Sequence, residues 1–231
     1  MGSITLATGQ EVVVRRSARA RRMILRVSRR DGQAVLTLPP GATEAEGARF
    51  VQSRADWLGR AVASMPAPAV VAHGARLPVD GTPLVITPAA LRLPRIEGEA
   101  LLVPAGREPG PVLAAWLRER ARTVLEPACT AHARRLPSGV RKLTGISLRD
   151  TRSRWGSCTA QGKLMFNWRL AMAPPAVLDY VAAHEVAHLA RMDHSPAFWA
   201  VVAHLCPEHE GSRAWLRRHG PALQAWRFRR D

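Results

Sequence analysis

The feature that most restricts this chain is the run His184-Glu185-Val186-Ala187-His188, followed six residues later by His194. Two histidines four apart on an α-helix stand about 40° apart around its axis, so both imidazoles can point at one metal ion. The glutamate beside the first histidine can reach a water on that ion and act as a general base. The bland alternative is a surface helix with incidental histidines. Its flanks argue otherwise: Tyr180-Val181-Ala182-Ala183, Val186-Ala187 and Leu189-Ala190 are nearly all apolar. They predict a buried helix, in which unpartnered imidazoles and a carboxylate are costly to desolvate unless they bind something.

A catalytic zinc ion takes three protein ligands and keeps one position open for water. His194 is the first candidate for the third ligand. On a continued helix it would lie roughly 240° round from His188, so the chain must leave the helix between Leu189 and Asp193. Ser195 and Pro196 then suit the N-cap and first position of a new helix. Glu208 is the alternative ligand, although Pro207 beside it favours a helix break. His204, His209 and His219 read as surface or hydrogen-bonded polar residues.

Around this motif the sequence reads as an α+β fold, with a strand-rich region over residues 1–108 holding one helix, and a helical domain with a short β-hairpin or sheet over 109–231. Strands are expected at Glu11–Val14, Met23–Val27 and Ala34–Leu38, the last two joined by a turn at Asp31-Gly32. Thr43 and Glu46 form a capping box for one helix from Glu44 to about Ser64, with Trp57 in its core face. Proline- and glycine-rich residues 66–110 suggest a small sheet with runs at 77–79, 83–87, 91–93 and 100–103. Gly110-Pro111 opens a helix to about Leu136, which Pro127 kinks or divides. Strands at Lys142–Leu148 and Leu164–Leu170 flank a turn at Gln161-Gly162, Pro174-Pro175 start the motif helix, and helices from Pro196 and from about Gly211 close the chain.

Charge and cysteine bound the setting. The 231 residues carry 34 lysines and arginines against 18 acids, a net +16. Such a balance suits nucleic acid, nucleotides or acidic surfaces as partners, or a merely solvated basic face. The strip Arg15, Arg16, Arg19, Arg21, Arg22 is read as a solvated edge. Three cysteines with no CxxC pair give no zinc ribbon or disulfide framework, and an odd, sparse count suits a reducing cytoplasm. No apolar stretch is long enough for a membrane span, so a cytoplasmic protein is expected.

Several blocks together resemble the YgjP-like metallopeptidases, relatives of the SprT-like zinc proteases. They are Arg154-Trp155-Gly156-Ser157-Cys158, Phe166-Asn167-Trp168, Tyr180-Val181, the HEVAH run, and His194-Ser195-Pro196-Ala197-Phe198-Trp199. A weaker likeness lies in Arg21–Val27 and Phe50-Val51. The resemblance implies a zincin-like metallopeptidase domain with one Zn2+ on His184, His188 and His194, Glu185 as base, and a place near the active site for Arg154–Cys158. The histidine spacing also equals that of metzincins, but Arg191 stands where they carry glycine.

Three functions compete. The first is hydrolysis of peptide bonds in a peptide or protein substrate, with Arg152, Arg154, Tyr180 and Asn167 as candidate contacts to the substrate or its oxyanion. The second is hydrolysis of a nucleotide phosphoanhydride, with arginines 149–154 holding phosphates. The third is a nucleic-acid-binding module with a structural zinc, which would need a fourth ligand such as Cys158 or Glu208.

Overall fold

The computed structural model describes residues 2–28 and 32–229, and the chain forms two compact units, Met1–Pro68 and Ala69–Asp231. Alternating burial builds the first. Its strands are β1 (Gly2–Thr5), β2 (Glu11–Arg16), β3 (Ile24–Val27) and β4 (Ala34–Leu38), in the order β1-β2-β4-β3. Strand β2 buries Val12 and Val14 and turns Arg15 and Arg16 outward, while β4 buries Ala34, Leu36 and Leu38. This is the period-two pattern of a sheet with one covered face. Strands β3 and β4 pair antiparallel, Val27 opposite Ala34. Asp31 of the expected turn lies outside the described residues; Gly32 has φ 68° and donates to Ser28 O at 3.0 Å.

The single helix expected from Glu44 is two: α1 (Glu44–Gln52) and α2 (Ala55–Ala63). The Thr43–Glu46 capping box forms. The break follows from Ser53, whose hydroxyl donates to Phe50 O at 2.9 Å, and from Arg54, which leaves helical geometry at φ −115°; serine bonds of this kind compete with the helix ladder. Trp57 is not a core residue. It is 43% exposed, and Leu58 beside it, at 0%, takes the inward position.

The second unit carries the motif. It begins with β5 (Ala69–Val70), then β6 (Arg76–Val79), β7 (Thr82–Ala89), β8 (Arg95–Glu97) and β9 (Ala100–Pro104), the last four in the order β6-β7-β9-β8. The run Leu91–Leu93, expected as a strand, is a bend with Leu93 turned to solvent. Leu77, Val79, Leu84, Ile86, Leu101 and Val103 share one core with Leu113, Leu117, Ala121 and Leu125 of α3 (Pro109–Arg134). The boundary read from the sequence at 108/109 therefore lies inside this unit. Pro127 sits within α3 without dividing it.

Beyond α3 come β10 (Gly145–Arg149), β11 (Gly156–Cys158) and β12 (Lys163–Asn167). They form a sheet ordered β10-β12-β11, so β11 is an edge strand. The strand expected to reach Leu170 stops at Asn167, whose side chain accepts from Arg169 N and starts a 3-10 turn over Trp168–Met172. Then follow α4 (Pro175–Ala187), α5 (Pro196–Leu205), α6 (His209–Ala225) and β13 (Trp226–Arg227), which pairs parallel with β5. Helix α4 is apolar nearly all round and buries nine of its residues, as a central helix must. No helix among the described residues is long and apolar enough to cross a membrane.

Candidate metal centre

Helix α4 ends at Ala187, with His188 as its C-cap. The chain then turns away, and Ser195 caps α5 by accepting from Phe198 N, with Pro196 in the first position. The reversal brings His194 back over the helix. Ligand-capable nitrogens of His184, His188 and His194 all lie within 4.8 Å of one another, and His184 Nε2 approaches His194 Nε2 to 3.3 Å.

Neighbours fix the rings. His188 Nδ1 lies 2.9 Å from Arg191 O; donation there leaves Nε2 as a free lone pair, the arrangement that orients metal-ligating histidines. Phe198 stacks on His188 at 4.5 Å and meets His184 edge-on at 5.0 Å. Asp193 accepts from Ser195 N and Oγ, which holds its carboxyl below the usual range and steadies the turn before His194. Burial, and then the two neighbouring imidazoles, push His184 down to about 3. Burial also lowers His188, against the opposing bond to Arg191 O. Both rings are thus kept neutral near pH 7, the state that binds a metal. Buried His184 Nδ1 has no hydrogen-bond partner. Three clustered imidazoles, two of them on one buried helix, are a donor set that fits zinc.

Glu185 is 5% exposed. Burial raises its carboxyl to about 8, against the pull of the Arg154 charge. A cavity of about 280 Å³ is lined by Gly156, Ser157, Cys158, His184, Glu185, His188, Met192 and His194, so the edge strand β11 forms one of its walls. Gly156 shows why: a Cβ there would stand 2.5 Å from Glu185 Cγ and Oε1. Only glycine lets the strand backbone come this close to the carboxylate.

A polar brace holds the loop before β11. Arg169, fully buried, pairs through Nε with Asp150 Oδ1 at 2.8 Å and donates through Nη1 to Leu223 O and Trp226 O. Its guanidinium lies against the Trp168 and Phe228 rings. Asn167 Nδ2 donates to Thr151 O at 2.8 Å, and Gln224 Nε2 donates to the same oxygen. Asn167, expected as a substrate contact, is buried with both ends of its amide engaged in this brace.

Arg152 and Arg154 are exposed in that loop, and Arg154 is the one whose charge reaches Glu185. The Tyr180 ring lies 6.0 Å from that of His184, and burial raises its phenol pKa. Glu208, the alternative ligand, is exposed at the start of α6, and neither it nor Cys158 joins the histidine cluster. Burial pushes the Cys158 thiol up to about 11. Among the described residues no other group of three metal-binding side chains occurs.

Two neighbours escaped the sequence reading. Trp199, met in the sequence only within a block of the family resemblance, faces His184 at 5.6 Å and His194 at 6.2 Å between ring centroids. The Arg213 guanidinium lies 4.3 Å over the Trp199 ring. The Arg213 contact has no local sequence signal, because α5 and α6 meet only in the folded chain, and the His184 contact likewise joins α4 to α5.

The family model of the YgjP-like metallopeptidase domain matches residues 21–219 of the chain. No curated protein and no solved structure matches it.

Proposed function

The chain belongs to the YgjP-like metallopeptidase family, and from that premise we propose that it is a zinc-dependent peptidase with His184, His188 and His194 as the three ligands of one ion and Glu185 as general base. A family of this kind implies a metal and a peptide substrate. The reading is carried by one observation: three imidazoles whose ligand nitrogens lie within 4.8 Å of one another, with a buried carboxylate lining the same cavity.

Bound there, zinc would supply Lewis acidity, polarising the scissile carbonyl and making water acidic enough to lose a proton near neutral pH. Glu185 takes that proton as the water attacks and delivers it to the departing amine. Its raised pKa, about 8 before any metal arrives, suits a group that must both accept and return a proton. Arg154 and Tyr180 are the nearest candidates to steady the oxyanion. The free edge of β11 offers backbone groups to an extended peptide, which would lie along the cavity wall as an added strand. A reducing, cytoplasmic setting belongs to the same reading, since all three cysteines are free thiols.

The test is turnover of an unbiased panel of peptides and nucleotides by zinc-loaded protein and by Glu185→Gln. Peptide cleavage by the parent, lost by at least about 100-fold in the variant with zinc content unchanged, is the expected result. Cleavage of nucleotides alone would replace the peptidase by a phosphoanhydride hydrolase. Failure to retain stoichiometric zinc, or activity that survives the substitution, would end the proposal.

A further inference from the structure

Arg213 projects from the first turns of α6 and is exposed. Among the described residues it has no carboxylate within ion-pairing distance, although Glu210 stands three residues before it and Glu208 caps the same helix. Its guanidinium covers the Trp199 ring, and that ring faces two of the three clustered imidazoles. Stacking uses the flat face of a guanidinium and leaves the edge N–H donors free for a planar, bidentate acceptor. Added end to end, the Arg213–Trp199 and Trp199–His184 contacts put the guanidinium roughly 10 Å or less from the His184 ring, about three residues of extended chain.

Other arginine charges are felt by groups at the centre. Arg154 is felt by Glu185, Arg141 by Cys158, and Arg213 itself by His184 and Tyr180. Against these stand the buried Glu185, Asp193, whose carboxylate is already bonded to Ser195, and the exposed Glu208 and Glu210 at the start of α6, which make no ion pair with Arg213 among the described residues. A cleft with low-dielectric walls and cations on its rim favours anionic ligands.

We propose that Arg213, held over Trp199, is a specificity residue that binds a carboxylate of the substrate within about three residues of the scissile bond, so that peptides presenting a carboxylate there are preferred. The inference rests on the peptidase reading above. The carboxylate belongs either to an Asp or Glu side chain or to a free C-terminus, and the two sources are separable.

The experiment uses the full chain loaded with zinc and a matched peptide set. Neutral peptides are compared with ones carrying a single Glu, or a single Lys, at each of three positions on either side of the cleaved bond, each with a free and an amidated C-terminus. Glu-bearing or free-ended peptides are expected to show about a tenfold or greater advantage in kcat/KM. Arg213→Gln should reduce that ratio at least tenfold and Arg213→Glu should invert it in favour of Lys. Preference that vanishes on amidation assigns the main-chain carboxylate; preference that survives assigns the side chain.

Calorimetric binding of the same peptides to zinc-loaded Glu185→Gln, with and without Arg213→Gln, gives a readout independent of turnover, and the same ratio should appear there. Equal zinc content in every variant shows that the centre is intact. Turnover without preference, or a preference unmoved by Arg213→Glu, overturns the inference and leaves the peptidase reading standing. No turnover of any peptide overturns both.

Discussion

Glycine 156 is where one missing methyl decides the chemistry. A Cβ at that position would stand 2.5 Å from Glu185 Cγ and Oε1, a distance no real pair of atoms keeps, so either β11 or the carboxylate must move. Glu185 is buried, so its carboxylate shifts only by repacking against its neighbours. Gly156→Ala should therefore hold zinc as the parent does while kcat falls by about 100-fold, the order expected of a misplacement near 1 Å; unchanged kcat at equal metal content would sink this account. Glu185 also sets a pH dependence. Its folded pKa, about 8, lies above the ordinary 4.5, so in metal-stripped protein the fold holds a proton that the unfolded chain releases. By linkage its contribution is fully present below about pH 4.5 and is lost as pH rises toward 8. His184, lowered to about 3 from 6.5, works in the opposite sense and costs stability as pH falls below 6.5. Removing the carboxylate isolates the first effect: metal-stripped Glu185→Gln should melt no higher than the parent at pH 5 but several degrees higher at pH 8, by scanning calorimetry. A gap that stays constant with pH would contradict the burial argument. These residue-level roles were only half visible in the sequence. The spacing of His184, Glu185 and His188 is a property of one helix and can be read from order alone, whereas the approach of Gly156 to Glu185 joins segments 29 residues apart and has no local signature.

At the scale of elements, the loop from Asp150 to Trp155 owes its shape to groups that lie behind it. Arg169 is fully buried, its Asp150 partner half-buried, and its remaining donors end on the carbonyls of Leu223 and Trp226 at the end of the chain. Trp155 lies against Gly220 of α6, where a Cβ would come within 3.1 Å of its ring. Taking away one partner of a buried pair leaves the other charge without compensation, at a cost of about 3–5 kcal/mol. Asp150→Ala should lower the unfolding free energy by that order in urea titrations, and should cost activity beyond what lost folding explains, because the loop carries Arg154 and leads into β11. A loss under about 1 kcal/mol would mean that the brace is decorative. The motif helix and the one after it were legible for plain reasons: proline at the first position of α4 and α5, the Ser195 cap, and apolar positions at helical spacing. The break at Ser53 and the 3-10 turn after Asn167 were not, since both depend on side chains diverting backbone bonds. Trp57 misled for a related reason, because splitting the helix hands the inward position to Leu58.

For the whole molecule, the question is how much chain the centre needs. Each compact unit has its own apolar cluster: Leu6, Val12, Leu36, Leu38 and Leu58 in the first, and in the second a larger one running from Val71 to Phe228. Every candidate ligand, the glutamate, the edge strand, the brace and Arg213 belong to the second unit, Ala69–Asp231. Its division from the first was hard to read in sequence, because the small sheet expected over residues 66–110 gives no local sign that its strands share one core with α3 rather than with the strands before them. A chain of this length, with core strands, helices packed on α4 and its own ligands, is above the size at which a domain folds alone. The fragment Ala69–Asp231 should consequently unfold in one cooperative step and bind one zinc ion. Stripping that ion should lower its melting temperature in proportion to metal affinity, since an ion that binds only the folded state stabilises it by mass action. Circular dichroism with metal analysis of the purified fragment decides the matter. A fragment that is unfolded even with zinc would show that residues 1–68 complete the fold, and that the apolar cluster of the second unit is insufficient without them. A folded fragment that binds zinc but no longer cleaves what the full chain cleaves would instead assign those residues a part in holding the substrate.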